Sequence, residues 1–313
     1  MQTRLALLDR HRNALAPAIA GALCISFGAI FVRLSKVEPS AAAFYRCLYA
    51  LPLLAPLAVR ERLRRGPRPL RAHILAHAAG ILFGVDLVLW CQAISAVGAG
   101  LATVLSNFQV VLVPLAAWWL FRERPSRRLA IAVPTALAGV VLISGVVGGG
   151  AYGRDPLLGG ILGICSGAAY GASLIVMKMA GEAEARHTRM RVFELTLSSA
   201  LAAGVIALAL GQMDRIPGAR AQLWLVLLAL GSQVAGWLLI TWSLPRLAAG
   251  VTALVLTLQP AGSVILAMLV LGEDPSSLQL LGVAAVAAAI PLGTLQAGGA
   301  PARAGAAGYA ELT

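Results

Sequence analysis

Charged residues are scarce in this chain. Asp, Glu, Lys and Arg make up 12% of its 313 residues, while 59% are hydrophobic. A water-soluble domain carries about a quarter charged residues and covers itself with them. The shortage excludes an ordinary soluble protein and leaves lipid as the main solvent. Acidic residues are scarcer still, 13 against 25 Lys and Arg, for a formal net charge of +12. In a soluble protein that excess suggests nucleic acid. Here the basic residues sit between apolar runs, and no basic face interleaved with aromatics occurs, which excludes nucleic acid as a partner. Cysteine is limited to Cys24, Cys47, Cys91 and Cys165, all inside apolar runs. Without ligand spacing or an oxidising loop they read as small buried hydrophobes. The four histidines, His11, His73, His77 and His187, fall in loops or at the ends of runs. His73 and His77 have an i, i+4 metal-ligand spacing but no third ligand nearby in sequence. There is no G-x-S-x-G elbow and no P-loop, and Gly98-x-Gly100 does not follow a strand. Nothing implies an enzyme, a metal or a cofactor.

What is present is apolar length. A membrane helix needs about 20 apolar residues, and ten such runs can be placed, at residues 14–34, 40–59, 72–95, 99–121, 128–147, 156–178, 192–211, 221–243, 248–271 and 276–296. Lipid offers unpaired backbone groups no partner, so helices are close to forced. Arg4, Arg10 and Arg12 precede the first run, which is longer than the apolar core of a signal peptide and is read as an uncleaved helix. The tail 297–313, rich in Ala and Gly, is expected to be disordered. Orientation follows from the basic residues. With the N-terminus in the cytoplasm, nineteen Lys and Arg fall inside and five outside, and Arg46 lies within a span. Both termini are therefore expected in the cytoplasm.

The turn "FRERPS" at Phe121–Ser126 returns as "LGEDPS" at Leu271–Ser276, 150 residues later and without its arginines. The same offset pairs Gly100 with Gly250, Gln109 with Gln259, Pro125 with Pro275 and Leu142 with Leu292; an offset of 148 pairs Tyr45-Arg46 with Phe193-Glu194. Five spans is an odd number, so a second copy enters the membrane upside down. The expected fold is an all-α membrane protein of ten transmembrane helices, two inverted five-helix repeats around a central cavity. The expected boundaries are 1–150 and 151–296.

Ten spans in two fives, an Arg early in span two within "AFYRCLYALPLL", and L-x-x-E-x-P-S after spans four and nine make the chain similar to the EamA-type drug/metabolite transporters. "AGLATVLSNFQVVLVPL" and "AGVTALVLTLQPAGSVIL", opening spans four and nine, belong to the same pattern. The resemblance covers residues 14–296. It implies secondary transport of a small polar or amphipathic metabolite, such as an amino acid, across the cell membrane by alternating access, with export as the preferred direction. An importer or exchanger and a non-transporting protein such as a lipid scramblase are the rival readings. The implied partners are the small-molecule substrate, the lipid bilayer and protons. The intramembrane Glu of four-span multidrug relatives is absent from span one, so their proton exchange does not carry over.

Inverted repeats place a site near the midplane, between the halves. Asp86 lies about three residues past the centre of span three, roughly 4 Å off the midplane. An Asp there costs roughly 2.5–3.5 kcal/mol and must face a partner or a wet cavity, as a proton carrier, an amine binder or half of a structural pair. Trp90 shares its face at i+4. Span eight offers Ser232, Gln233 and Trp237, span four Asn107 and Gln109, and span nine Thr257, Gln259 and Pro260. The amides serve either the pathway or interhelical hydrogen bonding, and the tryptophans either stack on substrate or pack. Pro260 removes a helix hydrogen bond beside Gln259 and frees a carbonyl at mid-depth. Arg46, long enough to snorkel to the outer interface, and Glu194 are each expected to anchor or form a salt bridge, and Glu123 and Glu273 to cap the helices that follow them or tie the turn. Gly159, Gly163, Gly167 and Gly171 make a flat strip on span six, for close approach or for sliding, and Gly80-x-x-x-Gly84 repeats the device on span three.

Overall fold

The structure is a computed structural model, and it describes residues 2–123, 125–144, 147, 155–180, 185–213, 216–272 and 274–294. The expected disordered tail and Glu273 lie outside them. The described residues are almost wholly helical and contain no strand. The helices are α1 (Gln2–Ser35), α2 (Pro39–Arg65), α3 (Leu70–Ser106), α4 (Gln109–Phe121), α5 (Arg127–Ile143), α6 (Pro156–Met179), α7 (Thr188–Ala209), α8 (Ala219–Leu228), α9 (Trp237–Ser243), α10 (Ala249–Leu256), α11 (Leu258–Leu271) and α12 (Ser277–Thr294). A π-helical stretch, Ala229–Gly236, joins α8 to α9. Among the described residues nine stretches are long and apolar enough to cross a membrane. The tenth expected span, α5, has 17 residues, about 26 Å at 1.5 Å per residue. Large apolar side chains such as Trp119, Leu157, Val205 and Leu269 cover the outside, as a lipid-facing surface requires.

Several breaks differ from the expected boundaries. Helical backbone continues from span three into span four as α3, yet the chain doubles back within it. The Ser166 hydroxyl contacts both Asp86 and Ser106, which a straight helix would hold about 30 Å apart. The reversal falls after Val97, which still packs on Gly159 in register with the antiparallel pairing of Asp86 with Ser166. Span four breaks again at Asn107–Phe108, before α4, and span nine breaks at Thr257, between α10 and α11. The two interruptions lie 150 residues apart. In both, the break is tightened by a bond to the third residue back, Phe108 N–H to the Leu105 carbonyl and Thr257 N–H to the Leu254 carbonyl. The helices after them also end alike, in left-handed caps at Arg122 (φ 56°) and Gly272 (φ 66°) whose N–H groups bond Ala117 and Ala267.

Packing is set by glycine. α3 runs antiparallel to α6 and parallel to α7. A methyl group at Gly80 would sit 2.4 Å from the Leu195 carbonyl oxygen, and one at Gly84 would sit 2.8 Å from that of Ser199. On α6, Gly159, Gly163, Gly167 and Gly171 meet Val97, Leu105, the Ser106 carbonyl and Gln109 or Val113 in turn. The strip is thus used for close approach to α3 and α4. α5 and α12 cross antiparallel, so close that a methyl group at Gly139 or at Gly282 would lie 2.8 or 2.5 Å from the other's carbonyl oxygen. Cys47 and Cys91 are buried as expected, Cys24 is half-buried, and Cys165 is exposed. The last is a correction: Cys165 lies off the glycine strip, on the outward side of α6.

Gly80→Ala is expected to destabilise the fold by about 1–3 kcal/mol, the usual cost of overpacking. Gly160→Ala, where no atom lies within 4 Å, is expected to be neutral or slightly stabilising. Denaturant unfolding of both variants in one detergent checks the contrast.

Candidate functional site

Asp86 is 7% exposed. The Ser166 hydroxyl donates to its Oδ1 at 2.6 Å, and Ser166 Oγ lies 2.9 Å from Ser106 Oγ. A hydroxyl has one proton. Ser166 gives its proton to the carboxylate, so Ser106 must donate to Ser166, and the chain of donors runs in one direction toward Asp86. Ser166 and Tyr170 share a face of α6 with Gly163, Gly167 and Gly171. The close approach of α6 to α3 is what brings the serine within reach.

Arg46 overturns its expected place. It does not snorkel outward; it is 8% exposed and turned into the bundle. Its Nε donates to Gln233 Oε1 at 3.0 Å, and its guanidinium lies 5.7 Å from the Phe83 ring centroid. An internal acceptor and a ring face offer the cation an alternative to the distant interface. Gln233 Nε2 in turn donates to Thr196 Oγ1 at 2.9 Å, so both ends of the amide are committed. Gln233 sits in the π-helical stretch, whose wider turn changes the direction of its side chain relative to an α-helix. Asp86 and Arg46 are within electrostatic reach of each other.

Aromatic rings close this region. Phe83 and Trp237 meet edge to face at 4.5 Å between centroids, and Tyr170 lies 6.0 and 6.3 Å from them. Gln259 Nε2 donates to the Tyr170 hydroxyl at 3.3 Å. Of the residues expected at the site, Asp86, Gln233, Trp237 and Gln259 are thus brought into one neighbourhood. Trp90 packs against the core but forms no ring pair with the cluster. Asn107 stands at the break before α4. Gln109, 1% exposed, has an Oε1 with no partner among the described residues. Pro260 falls in the first turn of α11, where a missing N–H costs little. The equivalent break before α4 forms without a proline there. Sequence reasoning missed Phe83, Ser166, Tyr170 and Thr196 and misplaced Arg46. The shared face of Ser166, Tyr170 and the glycine strip was the signal available for two of them.

Polar contacts also gather at one end of the bundle. Glu194 accepts from Arg68 Nη1 at 2.5 Å and contacts His73 Nδ1, which makes it the expected salt bridge. His77 Nδ1 faces Ser198 Oγ at 2.7 Å. Glu123 does not cap α5, which Ser126 caps. Its Oε1 pairs with Lys178 at 2.9 Å, and its Oε2 accepts from Ala249 N–H at 3.0 Å, at the start of α10. That N-terminus, brought alongside by the fold, offers a free donor and a favourable dipole. Among the described residues, a cavity of about 80 Å³ lies beside Arg68 and His187 and one of about 310 Å³ between Lys36 and Pro217. Neither is lined by the Asp86 cluster, so the expected central cavity is not among them.

The EamA-like transporter family matches this chain twice, over residues 13–145 and 157–293. An uncharacterized transporter of Synechocystis is 25% identical over 257 residues, covering 79% of this chain and 77% of its own. The probable 4-amino-4-deoxy-L-arabinose-phosphoundecaprenol flippase subunit of Erwinia tasmaniensis is 33% identical over 63 residues, 20% of this chain and 58% of its own. A crystal structure shares the fold with a TM-score of 0.74 at 18% identity, covering 91% of this chain and 98% of the other.

Gln233→Leu removes the acceptor of Arg46 Nε and the donor to Thr196 together. A loss of about 1–3 kcal/mol in stability is expected from the unpaired buried groups. Thermal unfolding in detergent, with Gln233→Glu as the variant that keeps an acceptor, measures it.

Proposed function

The chain belongs to the EamA-like transporter family, and from that premise we propose that it is a secondary transporter carrying a small polar or amphipathic metabolite across the cell membrane by alternating access. The observation that carries this reading is the buried network of Asp86, Arg46, Gln233 and Gln259 under the Phe83, Tyr170 and Trp237 rings. It joins helices from both family-matched regions at depths where unpaired polar groups are costly. An acidic and a basic side chain beside aromatic faces suit a substrate with charged groups and an apolar body.

Residues 1–150 and 151–296, each holding one matched region, act as inverted repeats. Paired breaks before α4 and α11, paired left-handed caps, and the antiparallel crossing of α5 and α12 support this. Both termini lie in the cytoplasm, following the bias of the basic residues. Transport runs outward, the direction the family resemblance favours. Asp86 either carries the coupling proton, relayed through Ser106 and Ser166, or binds a substrate amine. The 63-residue similarity to a flippase subunit makes a lipid-linked substrate the second reading.

A metabolite-resolved efflux comparison of cells with and without the protein identifies the substrate. In proteoliposomes, Asp86→Asn then separates the roles. As a proton carrier, Asp86 is required for uphill, pH-driven flux but not for substrate exchange. As an amine binder it is required for both. Wild-type levels of both activities in the variant remove Asp86 from the mechanism.

A further inference from the structure

Two side chains of opposite charge lie in the Asp86 region without pairing. Arg46 and Asp86 are both buried and within electrostatic reach of each other, yet neither forms an ion pair among the described residues. Each is bonded on one side to a neutral group. Arg46 Nε donates to the Gln233 amide, which Thr196 holds by its other end, and Asp86 Oδ1 accepts from Ser166. The other side of each is open. Arg46 Nη1 and Nη2, which carry the rest of the guanidinium's donors, and Asp86 Oδ2 form no hydrogen bond among the described residues, and none of the three is sealed from solvent. With Nε committed, the edge of the guanidinium left to another group is the fork of its Nη atoms. The Phe83 ring that faces this cation also meets Trp237 and Tyr170, so the open fork borders an apolar wall.

We infer that Arg46 selects the substrate by its carboxylate and that the substrate is a zwitterion, its carboxylate on the Arg46 Nη fork and its ammonium on Asp86 Oδ2. This rests on the transport reading and takes its amine-binding branch for Asp86. The fork presents paired N–H donors to the two oxygens of a carboxylate. A buried charge without a direct counter-ion is costly. A zwitterion supplies a counter-ion to each of the two residues and adds no net charge to the site. An amine alone leaves Arg46 uncompensated, and a carboxylate alone leaves Asp86 so. The apolar body of the substrate goes against Phe83, Tyr170 and Trp237. Gln233 and Thr196 are positioning residues: they hold Nε and thereby aim the fork. Arg46 lies in the first family-matched region and Gln233 and Thr196 in the second, so movement between the regions re-aims it.

The test measures equilibrium binding to the full chain in detergent, by calorimetry, and needs no gradient. The probes are leucine and phenylalanine as zwitterions, phenethylamine and phenylalanine methyl ester as amines without a carboxylate, and 3-phenylpropanoate as a carboxylate without an amine. The wild type is expected to bind a zwitterion at least about tenfold more tightly than the probes that lack one charge. Arg46→Gln is expected to remove that preference while phenethylamine binds at least as tightly as before, which also shows that the variant is folded. Gln233→Glu keeps an acceptor for Nε and leaves Arg46 in place, but sets a fixed carboxylate against the guanidinium. It is expected to weaken zwitterion binding selectively, and it serves as the second variant if Arg46→Gln does not fold. Three results overturn the inference: no binding of either zwitterion, amines binding the wild type as tightly as zwitterions, or equal losses for phenylalanine and phenethylamine in the variants. The transport reading stands or falls separately, on the efflux comparison. An exported metabolite without a carboxylate leaves transport standing and removes this role of Arg46.

Discussion

Helices in lipid gain little from hiding apolar surface against one another, so association rests on contact. In this fold the decisive contact is the one α3 makes with α6 on one side and α7 on the other. Glycine removes the side chain where the backbones meet, on α3 for α7 and on α6 for α3 and α4. Everything polar inside the bundle depends on that approach. Ser166 reaches Asp86, Ser199 Oγ bonds the Gly80 carbonyl at 2.8 Å, and Ser173 Oγ bonds the Ala79 carbonyl at 2.8 Å. A methyl group in the wrong place separates the helices and breaks these bonds together.

The interior polar groups are arranged with little redundancy. Gln233 spends its oxygen on Arg46 and its nitrogen on Thr196, so its orientation is fixed from both sides. The serines of α3 and α6 form a directed set of donors toward one carboxylate. By contrast, Gln109 Oε1 is buried without a described partner, while Gln259, 150 residues on, reaches Tyr170. The pairing written into the sequence is kept in the backbone breaks but not in the side-chain bonds. The two regions are not chemically equivalent at this position.

Much of the fold was legible in the sequence because apolar length and glycine spacing are local signals. The apolar runs, and the close approach of α6 as one of the two uses its glycine strip allowed, could be read that way. Asp86 stood out because a carboxylate at that depth is expensive. Arg46 was misread because a long cation near a helix end has an outward route by default. Only the fold supplies the Gln233 oxygen and the Phe83 ring that hold it inward. Glu123 caps a helix distant in sequence, which no local capping rule detects. The π-helical stretch carries no motif, whereas the reversal within α3 falls in the expected gap between spans three and four, although helical backbone runs through it.

The left-handed caps at Arg122 and Gly272 set two demands on the chain against each other. Glycine adopts that conformation freely, whereas an L-residue with a side chain gives up roughly 1–2 kcal/mol there. Gly272 meets the turn at no such penalty, and Arg122 does not. Yet arginines in short connections are what retain a segment on the cytoplasmic side as a chain is threaded into the bilayer. The backbone at residue 122 therefore favours glycine, and the proposed cytoplasmic placement of this turn favours arginine. Selection of variants for thermal stability alone would drift toward Arg122→Gly, yielding a tougher turn on a polypeptide less certain of which way round it enters the membrane.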